Sequence, residues 1–264
     1  MRMRWFKSTL AYDGTAYHGW QLQDGQLTVQ EVFETGLFKT TNQRVRATAS
    51  GRTDAGVHAA GQVVSFCVAT DLTTATLQRA LQANTPHDVY VLKVEEAREG
   101  FHAIRDARCK RYRYLAQDAT HHEVLARQYC WQLPYHLNTN AMQRGAVILR
   151  GKHDFRCFQA SGSPRASTVR TISQISVDWI DRDGFPRIVF QVTADGFLYN
   201  MVRNIVGSLV EIGREAVPVT WLREVLASKD RKTAGPTAPA HGLTLMEVGY
   251  DAQVLLEPAK CAPS

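Results

Sequence analysis

Apolar and polar residues alternate along the first hundred residues in a way that predicts a regular succession of strands and helices. Period-two alternation indicates strands, and apolar residues that repeat every three or four positions indicate helices. A capping box at Thr28–Glu31 marks the start of the first helix. The other predicted elements are strands at about 5–12, 61–68 and 88–95 and a helix at about 74–83. With the approach to residue 51 counted as a strand, the order is β-α-β-β-α-β.

The second half of the chain repeats this order. Its predicted elements are strands at about 107–116, 168–180, 187–194 and 243–250, and helices at about 138–149, at about 197–212 and from about 220. The helix at 197–212 has a strongly apolar face, and Gly213 is its predicted end. Two β-α-β-β-α-β units predict an α+β fold built from two ferredoxin-like halves. We predict domains at 1–106 and 107–264.

One turn and two irregular segments connect these elements. Residues 181–184 predict the turn between the last two strands before the long apolar helix. The segments 161–167 and 229–242 contain glycine, proline and cations, and are predicted to be loops. They are either plain solvated loops or, if the partner is RNA, contacts for its phosphate groups.

Composition and charge narrow the class of protein. A chain of 264 residues, 44% apolar and 21% charged, is typical of a globular protein with a substantial core. Its formal net charge of +6 favours a polyanionic partner. Cations also cluster in the runs 105–113 and 229–232. These features alone do not decide whether the protein binds nucleic acid, because many mildly basic proteins do not.

Cysteine and histidine spacing gives no sign of a disulfide framework or a metal site. The five cysteines are scattered and contain no C-x-x-C pair, which favours reduced thiols. His121 and His122 have no third ligand at metal spacing, so we predict no metal. The sequence has neither a signal-peptide segment nor an apolar run of membrane-spanning length. We therefore expect a cytoplasmic protein with no membrane partner.

The segment Gly51–Ala59, GRTDAGVHA, holds one carboxylate between two glycines. Arg52 stands two residues before Asp54, so continued strand alternation would point both side chains the same way. A buried carboxylate stays ionised only if a cation or several N–H donors hold it. The alternative is a turn in which Asp54 caps its own backbone and Arg52 is solvated. The spacing by itself favours that turn.

Cations and aromatic residues alternate in the predicted strand at 107–116. One face carries Lys110, Tyr112 and Tyr114, and the other carries Arg111 and Arg113. A splayed-out base suits such a strand, because a ring can stack on the base while cations hold the flanking phosphates. An edge strand whose tyrosines pack in the core fits the same pattern equally well.

These segments together resemble the tRNA pseudouridine synthase A family. The nine residues GRTDAGVHA match the family signature in order, which makes the match highly specific. Further blocks agree along most of the chain, at Tyr12–Thr15, Gly19–Gln21, Thr28–Gln30, Phe101–Ala103, Lys110–Tyr114, Asn200–Arg203 and Pro239–Leu243. The resemblance implies one extended, mostly antiparallel sheet shared by the two halves, with a central active-site cleft. It also implies a homodimer whose tRNA touches both subunits.

The activity that the resemblance implies is isomerisation of uridine to pseudouridine at positions 38–40 in the anticodon stem-loop of tRNA, without a cofactor. Asp54 matches the catalytic aspartate, which must be unprotonated to act as a nucleophile or base. Attack on the base, attack on the sugar and removal of the C2′ proton all remain open. Arg203 matches the arginine beside the aspartate and would keep it ionised, with Arg52 in support.

The resemblance also assigns substrate contacts. Tyr112 matches the tyrosine that stacks on the target uracil, and Leu245 matches an apolar wall of the uracil pocket. Lys110 and Arg113, which flank Tyr112, are the expected cationic contacts to the substrate.

One departure from the family pattern stands after Phe101–Ala103. The family usually continues with Arg-Phe, whereas this chain has Ile104 and Arg105, so the cation is displaced by one residue and its RNA contact is in doubt.

His58 is expected to be structural. Two other functions stay open from the sequence: a non-catalytic tRNA-binding module, and a hydrolase that uses Asp54 with His58 and releases free uracil.

Overall fold

The computed structural model describes residues 2–118, 123–162, 166–182 and 185–251. Its helices are α1 Val29–Thr41, α2 Thr74–Ala83, α3 Thr139–Leu149, α4 Met201–Gly213 and α5 Trp221–Ser228. Its strands are β1 Met3–Tyr12, β2 Thr48–Ala49, β3 His58–Ala69, β4 Val89–Ala97, β5 Cys109–Gln117, β6 Trp131–Gln132, β7 Gly151–Asp154, β8 Val169–Arg182, β9 Phe185–Ala194 and β10 Leu243–Gly249. The predicted α+β class is confirmed.

All ten strands belong to one open, mostly antiparallel sheet. Its order is β4-β1-β3-β10-β5-β9-β8-β7, with β2 paired to β3 and β6 paired to β5. Each half shows the predicted β-α-β-β-α-β order; the second half also has the predicted short helix α5 and two strands that were not predicted, β6 and β7. Part of the predicted turn, 183–184, and part of the loop 161–167, namely 163–165, lie outside the described residues.

The last strand, β10, joins the two halves of the sheet. It pairs in parallel with β3, with Leu245 opposite Ala59, and antiparallel with β5, with Leu245 opposite Tyr112. The C-terminal strand therefore lies between the strand that follows the Asp54 loop and the strand that carries Tyr112. The domain boundary between 106 and 107 stays a prediction, because this strand makes the sheet continuous across it.

Local sequence explains where the helices begin. The Thr28 side chain accepts a hydrogen bond from the Glu31 N–H, as the capping box predicts for α1. Helix α4 begins at Met201, four residues later than the apolar period indicates. Asn200 adopts a left-handed conformation with φ of 59°, which stops the helix from extending toward Phe197. The predicted start at 197 was therefore wrong: Phe197 and Leu198 pack in or against the core without being helical, and Tyr199 is exposed.

Helix α4 is the most deeply buried helix among those described, and only its side chains at Arg203 and Glu211 are partly exposed. It packs against α3, and α3 packs on β8. One cluster of buried residues runs through both halves, from Phe6 and Phe33 to Ile205 and Phe190. Within the described residues, no helix has the length and apolar composition needed to cross a bilayer.

Gly207 of α4 gives a stability prediction. A Cβ at this position would lie inside contact distance of the Pro236 carbonyl oxygen, so Gly207→Ala must push a loop backbone away from the helix. We expect a loss of about 1–3 kcal/mol in the free energy of unfolding, measured by urea denaturation, although alanine is the better helix former.

Gly36 of α1 supplies the matched helical control. Its added Cβ would meet the Thr85 Cγ2 atom at 3.2 Å and the Asn84 carbonyl oxygen at 3.3 Å, contacts that a shift of a few tenths of an ångström relieves. We expect Gly36→Ala to stay within about 1 kcal/mol of the wild type. Equal effects of the two substitutions would contradict the close packing of residues 235–239 on α4.

Candidate active site

Residues 51–57 between β2 and β3 form a tight loop and not a continuation of either strand. The Val57 N–H donates to the Asp54 carbonyl oxygen at 3.1 Å, which closes a four-residue turn. Gly56 occupies the third position of the turn with φ of +76°, a conformation that favours glycine. The turn uses the main chain of Asp54, so its carboxylate remains available for an interaction elsewhere.

The loop rests directly on the segment that follows β1. The Trp20 N–H donates to the Thr53 carbonyl oxygen at 3.0 Å. A Cβ on Gly19, whose φ is +84°, would lie 2.5 Å from that same oxygen. Only glycine lets the two backbones approach this closely. This contact fixes the position of the loop against the segment that follows β1.

Buried polar side chains hold the residues on either side of Arg52. The Thr53 hydroxyl lies 2.8 Å from the Tyr12 hydroxyl. The Gln62 amide donates to the Gly51 carbonyl oxygen at 2.8 Å and accepts from the Ser50 hydroxyl at 2.8 Å. Because these side chains are buried, breaking one of their hydrogen bonds would leave an unsatisfied partner. The loop is therefore rigidly placed.

Asp54 interacts with Arg203 across the two halves of the molecule. The Arg203 Nη1 lies 3.2 Å from the Asp54 Oδ2, and the two side chains are 17% and 24% exposed. Arg203 also donates through Nη1 to the Asn200 Oδ1 at 3.1 Å and through Nε to the Ala238 carbonyl oxygen at 2.7 Å. The guanidinium is thus held by three acceptors, and Asp54 is one of them.

Burial and the neighbouring cation act on Asp54 in opposite directions. Burial raises the pKa of the Asp54 carboxyl, and the charge and hydrogen bond of Arg203 lower it. Burial is the larger effect, so the pKa of Asp54 lies above its ordinary value. Asp54 is consequently a stronger base than a solvated aspartate, and Arg203 limits the cost of ionising it.

Tyr112 and Leu245 lie side by side on neighbouring strands near this pair. Tyr112 is 8% exposed, and its ring meets the Phe197 ring edge-on at a centroid distance of 5.1 Å. Burial, with the charge of Asp54 nearby, raises the pKa of Tyr112, so its hydroxyl stays protonated at neutral pH. Leu245 is fully buried. The structure therefore brings together Asp54, Arg203, Tyr112 and Leu245.

Three predicted residues lie apart from this group. Arg52 is exposed and makes no ion pair or hydrogen bond with any residue the structure describes, because the turn at 54–57 interrupts strand alternation. Lys110 donates to the Ser50 carbonyl oxygen at 2.6 Å and so supports the base of the loop. Arg113 is half-buried and lies on the opposite face of β5 from Tyr112. The substrate contacts of Lys110 and Arg113, and the support of Asp54 by Arg52, stay predictions.

His58 connects three segments of the chain. Its Nδ1 accepts a hydrogen bond from the Gly14 N–H at 3.0 Å. Its Nε2 lies 3.1 Å from both the Gln128 and the His241 carbonyl oxygens. A proton on Nε2 satisfies these three main-chain contacts, and Nδ1 also lies 3.1 Å from the Asp13 Oδ1. Both nitrogens of the ring therefore contact main-chain groups, and the structural role of His58 stays a prediction.

Sequence reasoning missed the main-chain groups that complete the site. The Ala238 carbonyl and the Asn200 side chain orient Arg203, and both lie within or next to the motif blocks at Asn200–Arg203 and Pro239–Leu243.

Arg105 is exposed, beside exposed Ile104. Among the described residues, no group of three histidine, cysteine or carboxylate side chains could hold a metal ion.

Comparison with known proteins gives the family of the chain. Residues 9–104 and 146–251 match a family model described as tRNA pseudouridine synthase. The chain belongs to this family. It is therefore an isomerase that acts on uridine in tRNA, and the predicted resemblance is confirmed.

Three relatives named tRNA pseudouridine synthase A illustrate the similarity. The protein of Thermoanaerobacter sp. (strain X514) is 40% identical over 94% of this chain and 100% of its own length. That of Geobacillus kaustophilus (strain HTA426) is 43% identical over 95% and 96%, respectively. That of Moorella thermoacetica (strain ATCC 39073 / JCM 9320) is 44% identical over 92% and 98%. The similarity covers nearly the full length of each relative.

The opposing effects on Asp54 predict what happens when Arg203 loses its charge. Arg203→Gln removes the cation that offsets burial, so the pKa of the Asp54 carboxyl should rise further. We expect this rise in the pH titration of the Asp54 carboxyl carbon by ¹³C NMR, with the resonance assigned from its loss in Asp54→Asn. Arg52→Gln is the matched control and should leave that titration in place. Equal shifts in the two variants would contradict the pairing.

The raised pKa of Asp54 also predicts a pH-dependent stability difference. A group whose pKa is higher in the folded protein contributes stability that is present at low pH and is lost as the pH rises through the folded pKa. Asp54→Asn removes this loss. We expect the variant to gain stability relative to the wild type between acidic and neutral pH, measured by urea unfolding at several pH values. A variant that loses relative stability over that range would show that Arg203 outweighs burial.

Proposed function

We propose that this protein converts uridine to pseudouridine at positions 38–40 in the anticodon stem-loop of tRNA. The observation that carries the proposal is the Asp54 carboxylate, fixed by a tight turn and paired with Arg203 beside Tyr112. The family supports the reaction on tRNA uridine. The positions in the anticodon stem-loop rest on the resemblance of GRTDAGVHA and the other motif blocks to the family named tRNA pseudouridine synthase A.

The reaction explains why few groups suffice. The bond between N1 of uracil and C1′ of the ribose breaks, the base turns within the site, and a bond forms between C5 and C1′. The proton on C5 is lost and N1 gains a proton, so the product is an isomer of the substrate. No electron is gained or lost and no further reactant is consumed. The proposal therefore includes no cofactor.

Asp54 is the reactive carboxylate in this proposal. It acts in the ionised form, as nucleophile or base toward the flipped nucleotide. Arg203 holds one carboxylate oxygen and thereby directs the other toward the substrate. The raised pKa of Asp54 gives it more affinity for a proton or an electrophilic carbon than a solvated aspartate has.

Tyr112 and Leu245 serve the detached base. The protonated Tyr112 ring is neutral, so it can stack on uracil without adding a second negative charge near Asp54. Leu245, on the strand beside it, forms an apolar wall. Water must be kept from the reacting sugar carbon, since hydrolysis would release free uracil. Flipping the nucleotide costs a few kcal/mol, roughly what stacking and backbone contacts return.

The RNA is held mainly by charge in this proposal. The net charge is +6, and Arg52 is exposed on the same loop as Asp54. Arg52 is thus placed to contact the nucleotide or its phosphate as it enters. The exposed residues Lys229 and Lys232 lie in the predicted phosphate-binding loop 229–242.

We also propose that the protein acts in the cytoplasm as a homodimer whose tRNA contacts both subunits. These two points rest on the family resemblance and on the composition of the sequence. Sedimentation equilibrium of the protein, with and without tRNA, measures the number of subunits directly.

The activity test uses purified protein and unmodified tRNA, without added metal or nucleotide. Carbodiimide labelling followed by primer extension should give new stops on the 3′ side of the anticodon arm. Asp54→Ala should lower the rate by at least about a hundredfold, because it removes the carboxylate that pairs with Arg203. Its tRNA affinity, measured by filter binding, should change little.

Three outcomes would contradict parts of the proposal. Bound tRNA without new stops would mean that the protein binds but does not isomerise. Free uracil in place of pseudouridine would indicate a hydrolase. Stops elsewhere in the tRNA would leave the reaction intact and replace the proposed positions 38–40.

A further inference from the structure

A short segment, Gly235–Pro239, lies along helix α4 and is called here the α4 strap. The Gly235 N–H donates to the Ser208 hydroxyl at 2.9 Å. The Ala238 N–H donates to the Arg203 carbonyl oxygen at 3.2 Å. Gly207, without a side chain, allows the Pro236 carbonyl to approach the helix. The strap is therefore in contact with two turns of the helix that carries Arg203.

The strap supplies the acceptor that orients Arg203. The Ala238 carbonyl accepts from the Arg203 Nε at 2.7 Å, which is shorter than the 3.2 Å between Nη1 and Asp54. A guanidinium is planar, so fixing Nε and one Nη fixes the direction of the whole group. A displacement of the Ala238 carbonyl would thus turn Nη1 away from the carboxylate.

Asn204, the residue after Arg203, anchors the strap to the interior. Its side chain is fully buried, and its Nδ2 donates to the Phe158 carbonyl oxygen at 2.7 Å. Its Oδ1 accepts from the Thr237 hydroxyl at 2.6 Å and from the Arg231 Nη2 at 3.0 Å. These contacts leave the amide oxygen with both lone pairs used. The hydrogen bond to Asn204 thus anchors Thr237, the residue directly before Ala238.

We propose that Asn204 and Thr237 are positioning residues of the active site. Their hydrogen bond holds the α4 strap in place, the strap directs the Ala238 carbonyl at Arg203, and Arg203 in turn directs the Asp54 carboxylate. Neither residue touches the substrate. The inference rests on the proposed function for its kinetic consequence, but its structural consequence concerns only Arg203 and Asp54.

Titration of Asp54 separates positioning from a general structural role. Among the described residues, the ionisable groups that act on its carboxylate are Arg203 from α4 and, from β5, Tyr112, which keeps its proton. Arg52 of its own loop is exposed. A change confined to the strap can reach the pKa of Asp54 by moving Arg203 or by altering the burial of the carboxylate, and an Arg203→Gln background separates these two routes. A variant that merely loosened the fold would lower the melting temperature without this change.

The test compares Thr237→Val with Thr237→Ser in the full-length protein. Valine has the shape of threonine but can neither donate to Asn204 nor accept from Arg231, whereas serine keeps the hydroxyl. We expect Thr237→Val to raise the pKa of Asp54, followed by ¹³C NMR of its carboxyl carbon, and to lower kcat on tRNA by about tenfold. Thr237→Ser should keep both the pKa of Asp54 and kcat at their wild-type values.

Tyr114→Phe gives a second, independent perturbation of the strap, because the Tyr114 hydroxyl donates to the Pro239 carbonyl oxygen at 2.9 Å. It should raise the pKa of Asp54 as well. In an Arg203→Gln background, Thr237→Val should produce no further change, since the group through which it acts is gone.

An unchanged Asp54 titration in both Thr237→Val and Tyr114→Phe would overturn the inference. So would an equal additional shift in the Arg203→Gln background. If the wild type forms no pseudouridine, the proposed function fails, yet the NMR comparison still decides whether the strap positions Arg203.

Discussion

The ion pair between Asp54 and Arg203 depends on both halves of the chain, and most of the surrounding structure serves to place its two ends. A carboxylate in this position costs free energy to ionise, because burial removes water that would otherwise solvate it. Arg203 returns part of that energy. The balance leaves Asp54 with a raised pKa and yet beside a cation, a combination suited to a base that must be ionised and still reactive.

Two separate constraints bring these ends together. On one side, the turn at 54–57 lies on the backbone after β1, at a distance that only Gly19 permits. On the other, α4 and its strap hold the guanidinium through main-chain acceptors. Strand β10 connects the two sides by pairing with both β3 and β5. Neither half alone would complete the site, and this is consistent with a continuous sheet whose last strand lies at its centre.

The sequence predicted regular elements well and tertiary contacts poorly. Helix α2 and strand β1 follow from apolar periodicity, whereas α4 starts later than predicted because Asn200 is left-handed, which periodicity does not detect. The resemblance supplied Asp54, Arg203, Tyr112 and Leu245. Strand alternation does not predict the turn at 54–57, which leaves Arg52 exposed. Nor does it predict that Lys110 of β5 donates to the Ser50 carbonyl oxygen at the base of the loop. Carbonyl acceptors such as Ala238 carry no side-chain signal at all.

The most direct measurement is the pH dependence of the single-turnover rate of pseudouridine formation, compared with the titration of the Asp54 carboxyl carbon in the same tRNA-free protein. Single turnover removes product release from the rate. If ionised Asp54, held by Arg203, is the reactive group, the rate should fall toward acidic pH with the same midpoint as the Asp54 titration. A rate that stays constant while Asp54 takes up its proton would contradict the account.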